Sequence, residues 1–372
     1  MVNHIVISGY YGFNNVGDEA VLYSMLRTLR AQQPDLKITV LSADPEKTAA
    51  AYGVQAVNRW NIREVWQALR KCQLLISGGG SLLQDVTSSR NVLYYLGVVQ
   101  LAKLLGKKVF FYAQGVGPIS RRLSQEAIAR VVNKVDLITV RDEASKALLL
   151  QLGVRQPEIL IKADAVLGLY AKEMDRQQGL KYLEKNGVQL GADGAPIVGI
   201  SVRNWHSYQG YKKALAKVGD QLVRKGYQVV FLPFHFPDDI APSREIANMM
   251  EEKAVVIRDQ IGVVEMLGCL SAMHLLIGMR LHSLIMASVM GVPVIGISYD
   301  PKIDAFMKSI GQPLAGRVET LDAEVLGDEV RVLLLKREEI LPELNEAVAA
   351  LRVEARDTGR LALELLKDNL SN

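Results

Sequence analysis

Leu275-Leu276-Ile277-Gly278-Met279-Arg280-Leu281-His282-Ser283-Leu284-Ile285-Met286-Ala287-Ser288-Val289-Met290-Gly291-Val292-Pro293 is the stretch that decides the fold. Its first apolar run reads as a buried strand. The second reads as a helix closed by glycine and proline, so Arg280-Leu281-His282-Ser283 falls where a parallel strand delivers a helix N-terminus. In open α/β sheets that is where ligands bind. A helix start offers unpaired N–H groups and the positive end of a dipole. A guanidinium and an imidazole placed there make a receptor for phosphate or carboxylate.

Working outward, short β-rich runs alternate with longer amphipathic ones, the pattern of βα units in a parallel sheet. Strands are expected at 5–8, 38–41, 74–77, 109–113 and 137–140, and again at 197–201, 228–232, 255–257, 275–277 and 294–297. Between the two sets lies Gly187-Val188-Gln189-Leu190-Gly191-Ala192-Asp193-Gly194-Ala195-Pro196, rich in turn formers. The chain has 372 residues, 49% of them apolar, too many for one core. The expectation is therefore an α/β protein of two Rossmann-like doubly wound domains, 1–190 and 191–340, with a cleft between them. A C-terminal helix, 341–372, would pack back across both, its apolar stripe supplied by Leu344, Val348, Leu351, Val353, Leu361, Leu363 and Leu366.

The formal charge of +4 is spread without a basic block, which argues against nucleic acid but suits an anionic ligand. The two cysteines, Cys72 and Cys269, stand far apart in apolar contexts, so neither a disulfide framework nor a cysteine metal site is expected. No signal-type segment opens the sequence, and the apolar run 284–297 is too short to span a bilayer. A cytoplasmic protein is expected, with Lys103–Lys108 and Arg121-Arg122 as modest basic patches able to touch the inner membrane leaflet.

Polar groups recur at the predicted strand exits. The first strand leads into Gly9-Tyr10-Tyr11-Gly12-Phe13-Asn14-Asn15-Val16-Gly17-Asp18-Glu19. Its glycines allow close backbone approach, Asn14 and Asn15 present amides, and Asp18 reads equally as a helix N-cap or as a functional carboxylate. Ser77-Gly78-Gly79-Gly80-Ser81-Leu82-Leu83-Gln84-Asp85 could cradle an anion or a sugar at Gly79 and Gly80, or could simply be a turn needing positive φ. Gln114 tips the next exit, and Arg141-Asp142 reads as a self-satisfied cap and ion pair. In the second half Arg203, His235, Asp238, Arg280, His282, Ser283, Asp300 and Lys302 all fall just beyond strands of one sheet. Two arginines and a lysine at one rim are costly unless an anion neutralises them, so a phosphorylated or carboxylated ligand is expected. No residue cluster has metal-like spacing.

These motifs together resemble the polysaccharide pyruvyltransferase family. The resemblance rests on Asn15, Gly17, Asp18 and Glu19, the glycines 78–80, Gln114-Gly115-Val116-Gly117-Pro118, Val140-Arg141-Asp142, and above all Gly278-Met279-Arg280-Leu281-His282 with Gly291-Val292-Pro293 and Tyr299-Asp300-Pro301-Lys302. Within the family the chain looks most like the bacterial enzymes that pyruvylate a lipid-linked, N-acetylmannosamine-containing precursor of the polymer anchoring S-layer proteins. The resemblance implies a GT-B-like pair of domains and phosphoenolpyruvate as co-substrate; a transfer scheme on these residues requires no cofactor and no metal. The resemblance also implies that Arg203, Arg280 and His282 match donor-site positions and that the acceptor sugar binds on the N-terminal side. The site expected is then Arg203, Arg280, Ser283 and Lys302 for the donor, with Asn14, Asn15, Gly79, Gly80, Asp85 and Gln114 for the acceptor. His282 is the expected acid–base group, and the second base is His235, Asp238 or Asp18. A nucleotide-sugar glycosyltransferase of the same architecture, with Glu265 or Asp259 on the ribose, is the competing reading.

Overall fold

The computed structural model describes residues 3–85, 89–191 and 194–368. Ala192 and Asp193 of the predicted interdomain turn, and residues 369–372 of the predicted tail, lie outside them.

The first sheet unit is built in chain order from β1 (His4–Ser8), α1 (Val16–Gln32), β2 (Lys37–Ser42), α2 (Pro45–Tyr52), β3 (Gln55–Asn58), α3 (Ile62–Lys71), β4 (Leu74–Ser77), β5 (Gly80–Leu83), α4 (Ser89–Leu104), β6 (Lys108–Val116), α5 (Arg122–Val132), β7 (Leu137–Val140), α6 (Glu143–Gln151) and β8 (Glu158–Ile161). The strands pair in parallel in the order β3-β2-β1-β4-β6-β7-β8, with β5 beside β6. Strands such as Ile5-Val6-Ile7 are apolar without alternation because helices cover both faces of the sheet, and all three residues are fully buried. Side-chain caps start the helices: Asp44 accepts from Lys47 N, Asn61 from Arg63 N and Glu64 N, and Asp142 from Ser145 N.

The second unit continues with α7 (Gln177–Lys185), β9 (Ile197–Ser201), α8 (Gly210–Arg224), β10 (Gln228–Phe231), α9 (Ile240–Met249), β11 (Val255–Val256), α10 (Val263–Ser271), β12 (Met273–Gly278), α11 (Leu281–Val289), β13 (Val294–Ser298), α12 (Pro301–Ser309), β14 (Leu314–Arg317), α13 (Ala323–Leu335) and α14 (Arg337–Asp368). Its parallel strands run β11-β10-β9-β12-β13-β14. The order reverses direction between β9 and β12, where Ser201 pairs with Gly278. That is the topological switch point at which a doubly wound sheet opens a crevice.

By packing, the first unit comprises 1–13, 18–168 and 351–372, and the second 14–17 and 169–350. Two of these boundaries depart from the sequence reading. Residues 169–190 join the second unit because α7 lies backbone to backbone on α10: a Cβ on Gly179 would sit 2.3 Å from Cys269 N and 2.4 Å from Glu265 O. The long helix also starts four residues earlier than expected and is shared, with Leu344 and Val348 buried in the second unit and Ala355, Ala362 and Leu366 in the first. Val353, read as part of its stripe, is 67% exposed because it is out of phase with that series. In the first unit Lys162 ties the helix down through Glu354 (2.7 Å) and Asp357 (2.9 Å).

Overpacking a tight contact costs about 1–3 kcal/mol, and more where backbone must give way. Gly179→Ala should therefore lower the unfolding midpoint of the full chain. An unchanged midpoint in thermal denaturation would contradict the close α7–α10 packing.

Candidate functional site

At the switch point of the second unit, Arg203 lies two residues beyond the end of β9 and Arg280 two beyond the end of β12, with Met279 N donating to Ser201 O at 2.8 Å. The two guanidiniums are held differently. Arg280 grips the buried carboxylate of Asp239 in a two-pronged pair, Nε to Oδ2 at 3.0 Å and Nη2 to Oδ1. Arg203 pairs with no carboxylate among the described residues. Its guanidinium lies 5.1 Å from the Tyr299 ring centre and 5.6 Å from that of Trp205, Nη1 meets the Tyr299 hydroxyl at 3.2 Å, and Nε is buried without a hydrogen-bond partner. The sequence counted both arginines as uncompensated charge. The structure corrects that count: Asp239 offsets Arg280, so the positive potential rests on Arg203 and on the start of α11, whose N-cap residue makes no side-chain cap.

His282 stands in the first turn of α11. A Cβ on Gly17 would fall 2.6 Å from its Nδ1 and 2.7 Å from its Cβ, so this imidazole occupies the space that Gly17 leaves open. Residues 14–17 reach this position through a short ladder within the second unit. Val16 N donates to Phe234 O (2.8 Å), Phe236 N to Asn14 O (3.1 Å), and Asn15 forms an isolated antiparallel bridge with His235. Asn14 sits at a positive φ of 58° and its side-chain oxygen accepts from Gln260 (2.7 Å). The Asn15 oxygen accepts from Gly17 N at 3.0 Å, which gives Asn15 rather than Asp18 the capping role at α1. Asn14 and Asn15, expected on the acceptor side, thus group with His235 and His282.

His235 lies 3.2 Å from Asp238 through Nδ1, while its backbone N–H donates to Asp239 at 2.8 Å. Burial and the Arg280 charge hold its imidazole below the ordinary value of 6.5, against the upward pull of Asp238 and Asp239. It is therefore neutral near pH 7 and able to accept a proton. Ser283, expected on the donor, is buried and donates its hydroxyl back to Arg280 O at 2.6 Å, a local bond in the helix start. Lys302 opens α12, its backbone N–H capped by Asp300 at 3.0 Å, and its side chain is half-buried.

The first unit has its own switch point between β1 and β4. A Cβ on Gly9 or on Gly78 would lie 2.3 Å or 2.1 Å from Tyr11, and one on Gly79 2.8 Å from Val21. These glycines make room for buried side chains. At Gly80, with φ at 87°, a Cβ would meet the Asp18 carboxylate at 2.9 Å. Gln114 is fully buried and donates to Ser77 Oγ (2.7 Å), Ser77 O and Gly78 O (3.2 Å each). Asp85 accepts from Ser120 N (2.9 Å), Ser120 Oγ (3.0 Å) and Arg121 N (2.8 Å), contacts that pull its carboxyl below the usual range against burial. Arg141 pairs with Asp164 (2.7 Å) and reaches Ser81 (3.1 Å), while Asp142 caps α6, so the self-contained Arg141–Asp142 pair expected from sequence does not form. The sequence reading missed Arg59, a buried guanidinium on the exit of an edge strand. It donates to Gly9 O at 2.8 Å and is boxed by Phe13, Trp60, Tyr94 and Tyr95 at 4.2–5.2 Å. Asp239, Tyr299 and Trp205 were also missed as holders of the arginines.

Two parallel-sheet α/β units of this kind define the GT-B-like class of glycosyltransferases and epimerases. Solved structures of that class cover almost the whole chain. A glycosyltransferase from Rickettsia africae aligns with TM-score 0.67 and 13% identity over 100% of this chain and 99% of its own. HepE of Anabaena in complex with UDP-glucose aligns at 0.66 and 12%, over 98% and 99%. A UDP-GlcNAc 2-epimerase from Neisseria meningitidis bound to UDP-GlcNAc aligns at 0.63 and 12%, over both chains in full. At such identities the likeness is one of fold. The sequence profile of the family described as polysaccharide pyruvyl transferase matches residues 15–301, and the chain belongs to that family. It is also similar to the amylovoran biosynthesis protein AmsJ of Erwinia amylovora, 23% identical over 411 aligned positions covering 94% of this chain and 96% of that one.

Two outcomes test this geometry. Gly17→Ala should displace the His282 ring and depress turnover while leaving thermal stability within roughly 1–3 kcal/mol of the parent; full activity in that variant would contradict the packing. In an NMR titration the His235 ring should show a midpoint below 6.5. Asp238→Asn, by removing an upward pull, should lower it further, and a midpoint above 6.5 would contradict the account.

Proposed function

We propose that the chain transfers the pyruvate unit of phosphoenolpyruvate onto two hydroxyls of a glycan as a cyclic ketal, releasing phosphate. The family supports pyruvyl transfer to polysaccharide. The observation that carries the choice of donor is Arg203 at the β9/β12 switch point: a guanidinium without a carboxylate partner among the described residues, held by two aromatic rings, at a rim where the helix start has no side-chain cap. Phosphoenolpyruvate carries a phosphate and a carboxylate, and this rim offers Arg203, the Arg280–Asp239 pair, the first turn of α11 and Lys302.

In the reaction a proton from His282 goes to the methylene carbon of the donor, giving an oxocarbenium-like centre at C2. One sugar hydroxyl adds there and loses its proton. The C2–O bond to phosphate breaks, and a second hydroxyl closes the ring, losing a further proton. The first hydroxyl proton restores His282 and the second ends on the departing phosphate, so a further group serves to carry that proton from the closing hydroxyl. His235, neutral and close to Asp238, is the best placed of the three candidates in the second unit's own geometry. The scheme draws on no cofactor and no metal. The acceptor, in this reading, is a lipid-linked N-acetylmannosamine-containing precursor of an S-layer-anchoring cell-wall polymer, modified on the cytoplasmic side and held at the exits of β1 and β4, where Gly80 and Asp18 meet.

The test is incubation of the protein with phosphoenolpyruvate and acceptor fragments. Phosphate release with a product mass increased by one pyruvate ketal is expected. His282→Ala should cost about 10²–10⁴ in rate with the fold intact. Near-parental turnover in that variant, or glycosyl transfer from a nucleotide sugar in place of ketal formation, would overturn the assignment.

A further inference from the structure

We propose that the outward face of α3, together with the turn before it, docks on a bilayer surface carrying anionic lipid headgroups. Helix α3 buries Val65, Ala68 and Leu69 against the first unit and leaves its other side open. Two large side chains one helical turn apart lie on that side, Ile62 at 68% and Trp66 at 38% exposure, and Trp60 just ahead of the helix is 61% exposed. Trp60 packs on Tyr94 of α4 at 5.3 Å, and the next residue on that helix, Leu93, is 54% exposed. Single exposed apolar residues are ordinary. Here two of the chain's three tryptophans stand exposed with Ile62 on this helix and the turn before it.

The charge on this face selects the partner. Arg63, Arg70 and Lys71 are exposed, Arg70 lies 5.1 Å over the Trp66 ring, and Lys107 donates to Arg70 O at 3.0 Å. The one acidic residue of the helix, Glu64, is turned back, accepting from Asn58 N at 3.0 Å and from Asn61 at 2.6 Å. The face therefore presents aromatic rings and cations with its carboxylate spent on the cap. Amphipathic tryptophan beside lysine and arginine is the composition of a surface lying in the headgroup layer of an anionic leaflet. A second copy of the chain fits it poorly, because a twofold contact would set the same cations against each other. No described helix is long and apolar enough to cross a membrane, so the contact would be peripheral. Its use rests on the lipid-linked acceptor proposed above, since it would hold the first unit beside a membrane-tethered substrate.

The experiment is co-sedimentation of the full chain with vesicles of phosphatidylcholine alone or mixed with phosphatidylglycerol, without donor or acceptor, so that its outcome is independent of the transfer chemistry. Binding to the mixed vesicles should be at least about tenfold stronger and should weaken with salt. Ile62→Ser with Trp66→Ser should reduce it by at least about tenfold, and so should the surface exchange Arg63→Glu with Lys71→Glu, both with the parental unfolding midpoint. Failure to bind either vesicle, binding unaltered in both variants, or self-association abolished by these substitutions without lipid binding would each overturn the proposal.

Discussion

The rim at the β9/β12 switch point depends on one buried carboxylate. Asp239, 1% exposed, takes two guanidinium donors from Arg280 and the backbone N–H groups of Phe234 and His235. Removing one partner of such a pair costs about 3–5 kcal/mol because the other charge is left buried and uncompensated. Asp239 thereby fixes the loop after β10 against the exit of β12. That loop in turn receives residues 14–17, and Gly17 leaves the space that the His282 ring fills. A chain of contacts thus runs from one ion pair to the imidazole assigned to proton transfer.

This pairing also sets the electrostatics. With Arg280 offset by Asp239, the charge left at the exits of β9 and β12 is one guanidinium plus a helix dipole, about half an elementary charge. Tyr299 and Trp205 give Arg203 an orientation without neutralising it, since aromatic faces attract a cation but carry no net charge. The rim of the first unit is of another kind. Its glycines are filled by Tyr11 and Val21, and Gln114 and Asp85 donate to or accept from neighbouring backbone. That rim is closely packed, yet Ser8 Oγ, the Tyr11 hydroxyl and Gln114 Oε1 are buried there without a hydrogen-bond partner among the described residues.

The fold was legible because its signal is long-range and redundant. Each run such as Leu275-Leu276-Ile277 ends in a turn and an amphipathic helix, and the repetition forces parallel sheets. The strands that escaped notice, β3, β5, β8 and β14, have four residues each, and contain glycine or lie near the sheet edges. Arg203, Arg280, His282 and His235 could be placed because strand exits are predictable. Their partners could not. Asp239 lies 41 residues from Arg280 and Tyr299 lies 96 from Arg203, and only tertiary packing joins them. Gly17 was visible as a glycine, but the ring it accommodates is 265 residues away, beyond any local pattern. The glycine runs misled in the opposite sense, since the same residue serves a ligand's approach and a neighbouring side chain's bulk.

Titration calorimetry of phosphoenolpyruvate into the parent chain and into Arg203→Met addresses the central claim most directly. Charge-assisted hydrogen bonds contribute about 1.5–3 kcal/mol, so the dissociation constant should rise roughly ten- to hundredfold in the variant. Equal affinity in the two proteins, or no heat of binding in the parent, would contradict an anion receptor at the β9/β12 switch point.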